Sequence, residues 1–233
     1  MADIEGNRQA KEYGIGIPVQ RKLFHVKGAD HLDWGMKNRL AQIFNQQSGK
    51  TLMLAFDHGY IMGSTAGLER LDINIPPLIE HADVLMATRG ALRSAIMPDH
   101  RKAIALRCSA GSSVLDEDMS HEVAGVAIDD AIRMNAACLA TQVFIGAPGE
   151  CQSVDNLVRL VDRGNRYGIP VLGVVAVGKQ MQRTSSYFLL ATRMIAELGA
   201  QMIKTYYCDD FEKVTSACPV PIVIEKKKKI SEQ

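Results

Sequence analysis

The sequence lacks the cysteine pattern of either a disulfide-stapled or a zinc-bound fold. Its five cysteines (Cys108, Cys138, Cys151, Cys208 and Cys218) are odd in number, scattered, and form no C-x-x-C pair. A disulfide framework and a structural zinc site are therefore not the expected sources of stability, and a reducing, cytoplasmic setting is expected. An excess of charge is lacking too. Twenty-seven basic residues stand against twenty-six acidic ones, a formal charge of +1, so no overall field draws the chain to nucleic acid or to an anionic membrane. No apolar run approaches the length that crosses a bilayer, and the first twenty residues are polar, so neither membrane insertion nor export is expected. None of the six histidines pairs with another at ligand spacing, and no metal is expected. Neither G-x-G-x-x-G nor G-x-x-x-x-G-K-[ST] occurs, which removes the usual glycine-rich nucleotide signatures. Cys108 and Cys208 fall near strand ends, where buried inert thiols are the expectation.

What the sequence does hold is a core. With 47% hydrophobic content over 233 residues, it can bury one large α/β domain. From Thr51 onward short apolar runs alternate with helical patterns: 51–56, 83–87, 103–107, 140–145, 170–176, 201–204 and 221–224. Between them, Val154, Leu157, Val158 and Val161 follow helical spacing behind Ser153 as an N-cap, and Phe188, Ala191, Ile195 and Leu198 repeat it before Gly199. Strands that are apolar on both faces and joined by crossover helices require a parallel sheet, either doubly wound or closed as a (β/α)8 barrel. A helix over 32–44 precedes them, and the division expected is an N-terminal extension over 1–48, a barrel domain over 49–224 and a lysine-rich tail over 225–233.

The strand ends favour the barrel. Asp57 and His58, Arg89, Arg107 with Ser109, Lys179, and Lys204 each follow their run closely, and a barrel builds its active site from such positions. Lys204 carries the sharpest signal, because a strand entering an apolar core disfavours an ammonium by several kcal/mol and so promotes the amine that attacks carbonyls. The competing reading is a lysine whose head reaches solvent at the strand end. Schiff-base chemistry also needs a group that moves protons, and Asp57 is the leading candidate, against a role as a turn residue before Gly59. His58 is either an orienting group or an exposed loop residue. Arg89 and Arg107 are candidates to hold a phosphate, or else pair with acids at the surface. Lys179 is a rival amine, read as solvated and cationic.

Leu-Ala-Phe-Asp-His-Gly after the first strand and Ile-Lys-Thr-Tyr-Tyr on the sixth resemble the class I aldolases of the deoxyribose-phosphate and archaeal-type fructose-bisphosphate aldolase superfamily. LDWGMKNRLAQIF, MLAFDHGY, HADVLMATRGALRS, the Gly-Lys pair at 178 and 179, and IKTYY through CPVPIVI are similar to one branch of it, the thiolases that process phosphorylated autoinducer-2. The likeness spans about residues 20 to 224. It implies a (β/α)8 barrel with the Schiff-base lysine at Lys204 and the strand-one acid at Asp57. It also implies transfer of an acetyl group from 3-hydroxy-5-phosphonooxypentane-2,4-dione to coenzyme A as co-substrate, leaving dihydroxyacetone phosphate, by an enzyme without a permanently bound cofactor that assembles as a homo-oligomer.

Two departures qualify the likeness. The sugar aldolases of the superfamily carry a tyrosine acid at the end of strand five, whereas residues 175–179 read VAVGK, which weakens a sugar-aldolase assignment and leaves Lys179 or water as proton donor. After PIVI come Glu225 and four lysines, Lys226 to Lys229, in place of an eighth strand, so a barrel of seven strands is expected, with part of the phosphate site missing. An inactive remnant of the thiolase and a class I sugar-phosphate aldolase are the alternative readings.

Overall fold

The computed structural model describes residues 14–19, 23–178 and 181–225; Lys179 and the lysine run at 226–229 lie outside them. Helix α1 (Trp34–Ile43) comes first, capped by Asp33, whose carboxylate accepts the Met36 N–H at 3.0 Å. Then follow β1 (Met53–Ala55), α2 (Gly59–Met62), α3 (Leu71–Asn74), α4 (Pro76–Ile79), β2 (Val84–Ala87), α5 (Arg89–Ala95), β3 (Ala103–Arg107), β4 (Ser109–Gly111), β5 (Glu122–Ala124) and α6 (Ile128–Arg133). The chain continues with β6 (Cys138–Val143), α7 (Glu150–Tyr167), β7 (Val171–Val175), α8 (Ser185–Glu197), β8 (Met202–Tyr206), α9 (Phe211–Ala217) and β9 (Ile222–Glu225).

Seven strands form one parallel sheet in the order β1-β2-β3-β6-β7-β8-β9. Each new strand adds beside the last, with no reversal, which is the topology of a barrel wall and not of a doubly wound sheet. All seven expected runs are strands of this sheet. The central strands β2 and β7 are buried at every position, whereas β1 and β9 are only partly buried, as befits the two ends of a sheet that does not close on itself among the described residues.

The two faces of the sheet do different things. On the outside, Leu139, Val143, Val171, Val175 and Ile203 pack with Leu157, Leu160, Phe188, Ala191 and Ile195 from the covering helices. On the inside, Val84, Met86, Ala105, Cys138, Ala140, Leu172, Val174 and Met202 form a second core, closed at one end by Leu40, Ile43 and Phe44 of the α1 region. Strands β2, β3, β6, β7 and β8 all reach this one inner cluster around a single short helix, so the sheet is curled.

The expected helices are present, with one shift. Helix α7 starts at Glu150 and ends at Tyr167, capped by Gly168, whose φ of 65° suits the left-handed cap. Ser153 lies inside it, buried, accepting the Phe144 N–H at 3.0 Å and donating to the Glu150 carbonyl at 2.9 Å. Helix α8 starts at the Thr184 cap and ends just before Gly199. The antiparallel hairpin β4–β5 lies within a polar stretch that carries no strand signal, and β9 runs through Glu225, one residue past the expected end of the barrel domain.

Helix α8 approaches the sheet closely over Gly173, where an added Cβ would stand 2.3 Å from Ile195 Cγ2. Gly173→Ala is therefore expected to cost about 1–3 kcal/mol by overpacking. A urea unfolding midpoint unchanged by this substitution would contradict that close contact.

Candidate active site

Strand register decides which side chains share the open end of the curled sheet. Met202 belongs to the inner core, so Lys204, two residues on, faces the same interior. It stands in register with Val174 of β7 and Val223 of β9. Val174 in turn is opposite Gln142, and Arg107 is opposite Ala140. Asp57 follows the inward Ala55 by two residues. Tyr206 and Glu225, in register with each other, complete the inward set at the next level.

Arg107 organises one side of this interior. Its Nη1 donates to Asp57 Oδ2 at 3.1 Å, its Nη2 to Glu122 Oε1 at 2.7 Å and to the Tyr60 hydroxyl at 2.5 Å, and its Nε to the Ser109 carbonyl at 2.9 Å. Glu122 is held further by the Tyr60 hydroxyl at 2.7 Å, by Ser109 Oγ at 2.5 Å and, through its backbone carbonyl, by Asn156 Nδ2 at 2.7 Å. The three charged side chains are 3%, 7% and 2% exposed for Arg107, Asp57 and Glu122. Burial works against the Arg107 charge, but Glu122 and Asp57 outweigh it and raise its pKa above the ordinary arginine value. Burial and, with it, Glu122 push the Tyr60 phenol far above its usual range against the pull of Arg107, so Tyr60 stays a protonated donor.

Lys204 organises the other side. Its ammonium makes a short ion pair with Glu225 Oε2, and its side chain is 12% exposed against 41% for the glutamate. Above it, the Tyr206 ring is covered by the Arg183 guanidinium, 3.7 Å from Cζ to the ring centroid. Burial raises the Tyr206 pKa, Glu225 and Asp57 add to the rise, and Arg183 opposes it. Tyr206 thus lies in the field of both carboxylates. A cavity of about 130 Å³ opens nearby between the hairpin side and the start of α7, lined by Phe144, Gly146, Pro148 and Met181; neither Lys204 nor Asp57 lines it.

The structure therefore places Lys204, Asp57 and Arg107 around one interior, with Arg107 committed to carboxylates of the wall. Arg89 stands elsewhere. It begins α5, and its Nη1 pairs at 3.1 Å with Asp130, which Arg93 and Arg133 also contact. His58 is half-buried at the start of α2 and makes no side-chain capping bond. Lys179 lies outside the described residues. Sequence reasoning missed Tyr60, Glu122, Arg183, Tyr206 and Glu225. Tyr206 was accessible to it through alternation from Lys204; Glu122 carried no signal, because only the β4–β5 hairpin brings it to Arg107.

The DeoC/LacD family of aldolases matches residues 51–225. The chain belongs to this family. A 3-hydroxy-5-phosphonooxypentane-2,4-dione thiolase of Photorhabdus laumondii is 53% identical over 234 residues, covering 100% of this chain and 80% of the relative. An aldolase of Pasteurella multocida is 52% identical with the same coverage. Among solved structures, a Schiff-base-forming fructose-1,6-bisphosphate aldolase is similar with a TM-score of 0.72 at 20% identity, over 83% of this chain and 82% of that one. An archaeal fructose 1,6-bisphosphate aldolase gives 0.72 at 21%, over 84% and 82%. These two likenesses speak to the fold, that of a class I aldolase barrel, and family membership makes this chain an aldolase-family enzyme. Among the described residues, no helix is long and apolar enough to cross a membrane.

Two outcomes test the electrostatics of this aldolase-family site. Arg107→Met abandons two buried carboxylates and is expected to cost about 3–5 kcal/mol. Denaturant titration at neutral pH checks the size, and a variant as stable as its parent would count against the cluster. Separately, burial pushes the Cys108 thiol up to about 12 and also raises Cys138, Cys208 and Cys218, whereas Cys151 is exposed. Alkylation of the folded protein at neutral pH, followed by peptide mapping, should modify Cys151 first; rapid labelling of Cys108 would refute its burial.

Proposed function

We propose that this enzyme cleaves 3-hydroxy-5-phosphonooxypentane-2,4-dione by a thiolase reaction through a Schiff base on Lys204, with coenzyme A as acetyl acceptor. Lys204 adds to the C4 carbonyl and water leaves to form the iminium. The thiolate of coenzyme A adds to the C2 carbonyl, and the C2–C3 bond breaks. The acetyl group passes to sulfur while the bonding electron pair flows into the iminium as an enamine. A proton at C3 and a returning water then release dihydroxyacetone phosphate and the free amine. In sum, the thiol hydrogen ends on C3, and one acetyl group changes partner.

The observation that carries this reading is an inward lysine on a buried strand of an aldolase-family sheet, paired with a carboxylate able to take its proton. Glu225 is that acceptor. Asp57, held in place by Arg107, faces the same interior and is positioned to move the protons of carbinolamine formation and collapse. The Tyr206 phenol, kept protonated by burial and by Glu225, stands in for the tyrosine that the sugar aldolases carry on strand five. The names borne by the more than 50% identical relatives support the thiolase over a sugar-phosphate aldolase, whose strand-five acid has no counterpart in residues 175–178. In this reading the enzyme works in the cytoplasm on phosphorylated autoinducer-2, as a homo-oligomer.

Borohydride reduction in the presence of the phosphorylated dione, followed by peptide mass mapping, tests it. An adduct on Lys204 is expected, absent in Lys204→Ala, with acetyl-coenzyme A formed when the thiol is supplied. No adduct under conditions that label one of the thiolase relatives would sink the reading. Turnover of dihydroxyacetone phosphate with glyceraldehyde 3-phosphate instead would favour the sugar aldolase.

A further inference from the structure

Resting on that reading, we propose that Arg183 anchors the phosphate ester of the carbonyl substrate. The charges facing the open end of the sheet leave a need for such a group. Asp57 and Glu122 share the single cation Arg107, and Lys204 is paired with Glu225, so the wall carries one negative charge in excess. A phosphomonoester brings about 1.5 to 2 more. The two arginines with suitable chemistry elsewhere are engaged: Arg107 inside the wall, and Arg89 on Asp130.

Arg183 is exposed and has no carboxylate partner among the described residues. Its guanidinium lies 3.7 Å over the Tyr206 ring. That contact uses the face of the planar cation and leaves its N–H donors, which lie in the plane, for a ligand. Tyr206 is also the inward residue two places beyond Lys204 on β8, roughly 6.5 Å along the strand. In the proposed substrate the phosphate is carried on the carbon next to the carbonyl that Lys204 attacks, so its anchor must stand close to the lysine head. The stacked arginine is the described cation that satisfies both position and free valence.

The test measures the concentration that half-saturates borohydride trapping at Lys204, for the phosphorylated dione and its unphosphorylated counterpart, with no coenzyme A present. Arg183→Gln is expected to raise it about tenfold or more for the phosphorylated compound. For the unphosphorylated one it should remain within about twofold, a result that also shows the variant to be folded. Arg183→Lys, which keeps the charge but loses the planar fork, should fall between. An unchanged preference for the phosphorylated compound overturns the assignment, as does an equal loss on both compounds. So does a loss of phosphate preference in Arg89→Gln in place of Arg183→Gln. In a separate turnover assay with coenzyme A supplied, a change confined to the KM of coenzyme A assigns Arg183 to the phosphates of that co-substrate and overturns it too. Absence of any wild-type adduct removes the reading beneath it, and the anchor with it.

Discussion

Every second residue of a parallel strand faces the same side, and here seven strands follow one another in chain order, so their inward residues converge on one interior. That constraint governs the rest of the molecule. It lines the interior with small and medium side chains such as Ala105, Ala140, Val174 and Met202. At the ends of the same strands it gathers Asp57, Arg107, Lys204, Tyr206 and Glu225. A shift of one residue in any strand would send its contribution into the helical layer instead.

Placing five ionisable groups in such an interior is costly unless they are paired. The fold meets this in two ways. On one wall Arg107 is surrounded by acceptors drawn from the turn after β1 and from β4, β5 and α2, so a hairpin and a short helix with little core of their own are held by charge-assisted hydrogen bonds. On the other wall Lys204 meets Glu225 at the edge of the sheet, with one partner largely buried and the other partly exposed. The arginine pairing is rigid and enclosed, which suits a group that orients Asp57. The lysine pairing is open to solvent on one side, through the partly exposed Glu225.

The two arginines that strand-end position marks as phosphate ligands show how far position alone reaches. Arg107 ends β3 and Arg89 stands two residues past β2, yet one turns into the sheet wall and the other onto Asp130 of α6. Their difference arises from partners brought by remote segments, Glu122 and Asp130, which no local pattern reveals. Arg183 shows the converse. Nothing in its neighbourhood of sequence is distinctive, and it gains meaning only from the Tyr206 ring beneath it.

The seven strands, the covering helices α7 and α8, and the inward placement of Lys204 and Asp57 were legible in the sequence, because apolar periodicity and alternation are local properties set by backbone geometry. The family likeness rests on strings in those same elements. The tertiary structure decided the rest: that the sheet winds in one direction around α1, that a hairpin delivers Glu122 to Arg107, and that Glu225 closes on Lys204 as the last residue of β9. Each of these depends on contacts between residues far apart in the chain, whose energy comes from desolvation and pairing in the folded interior and so leaves no trace in local pattern.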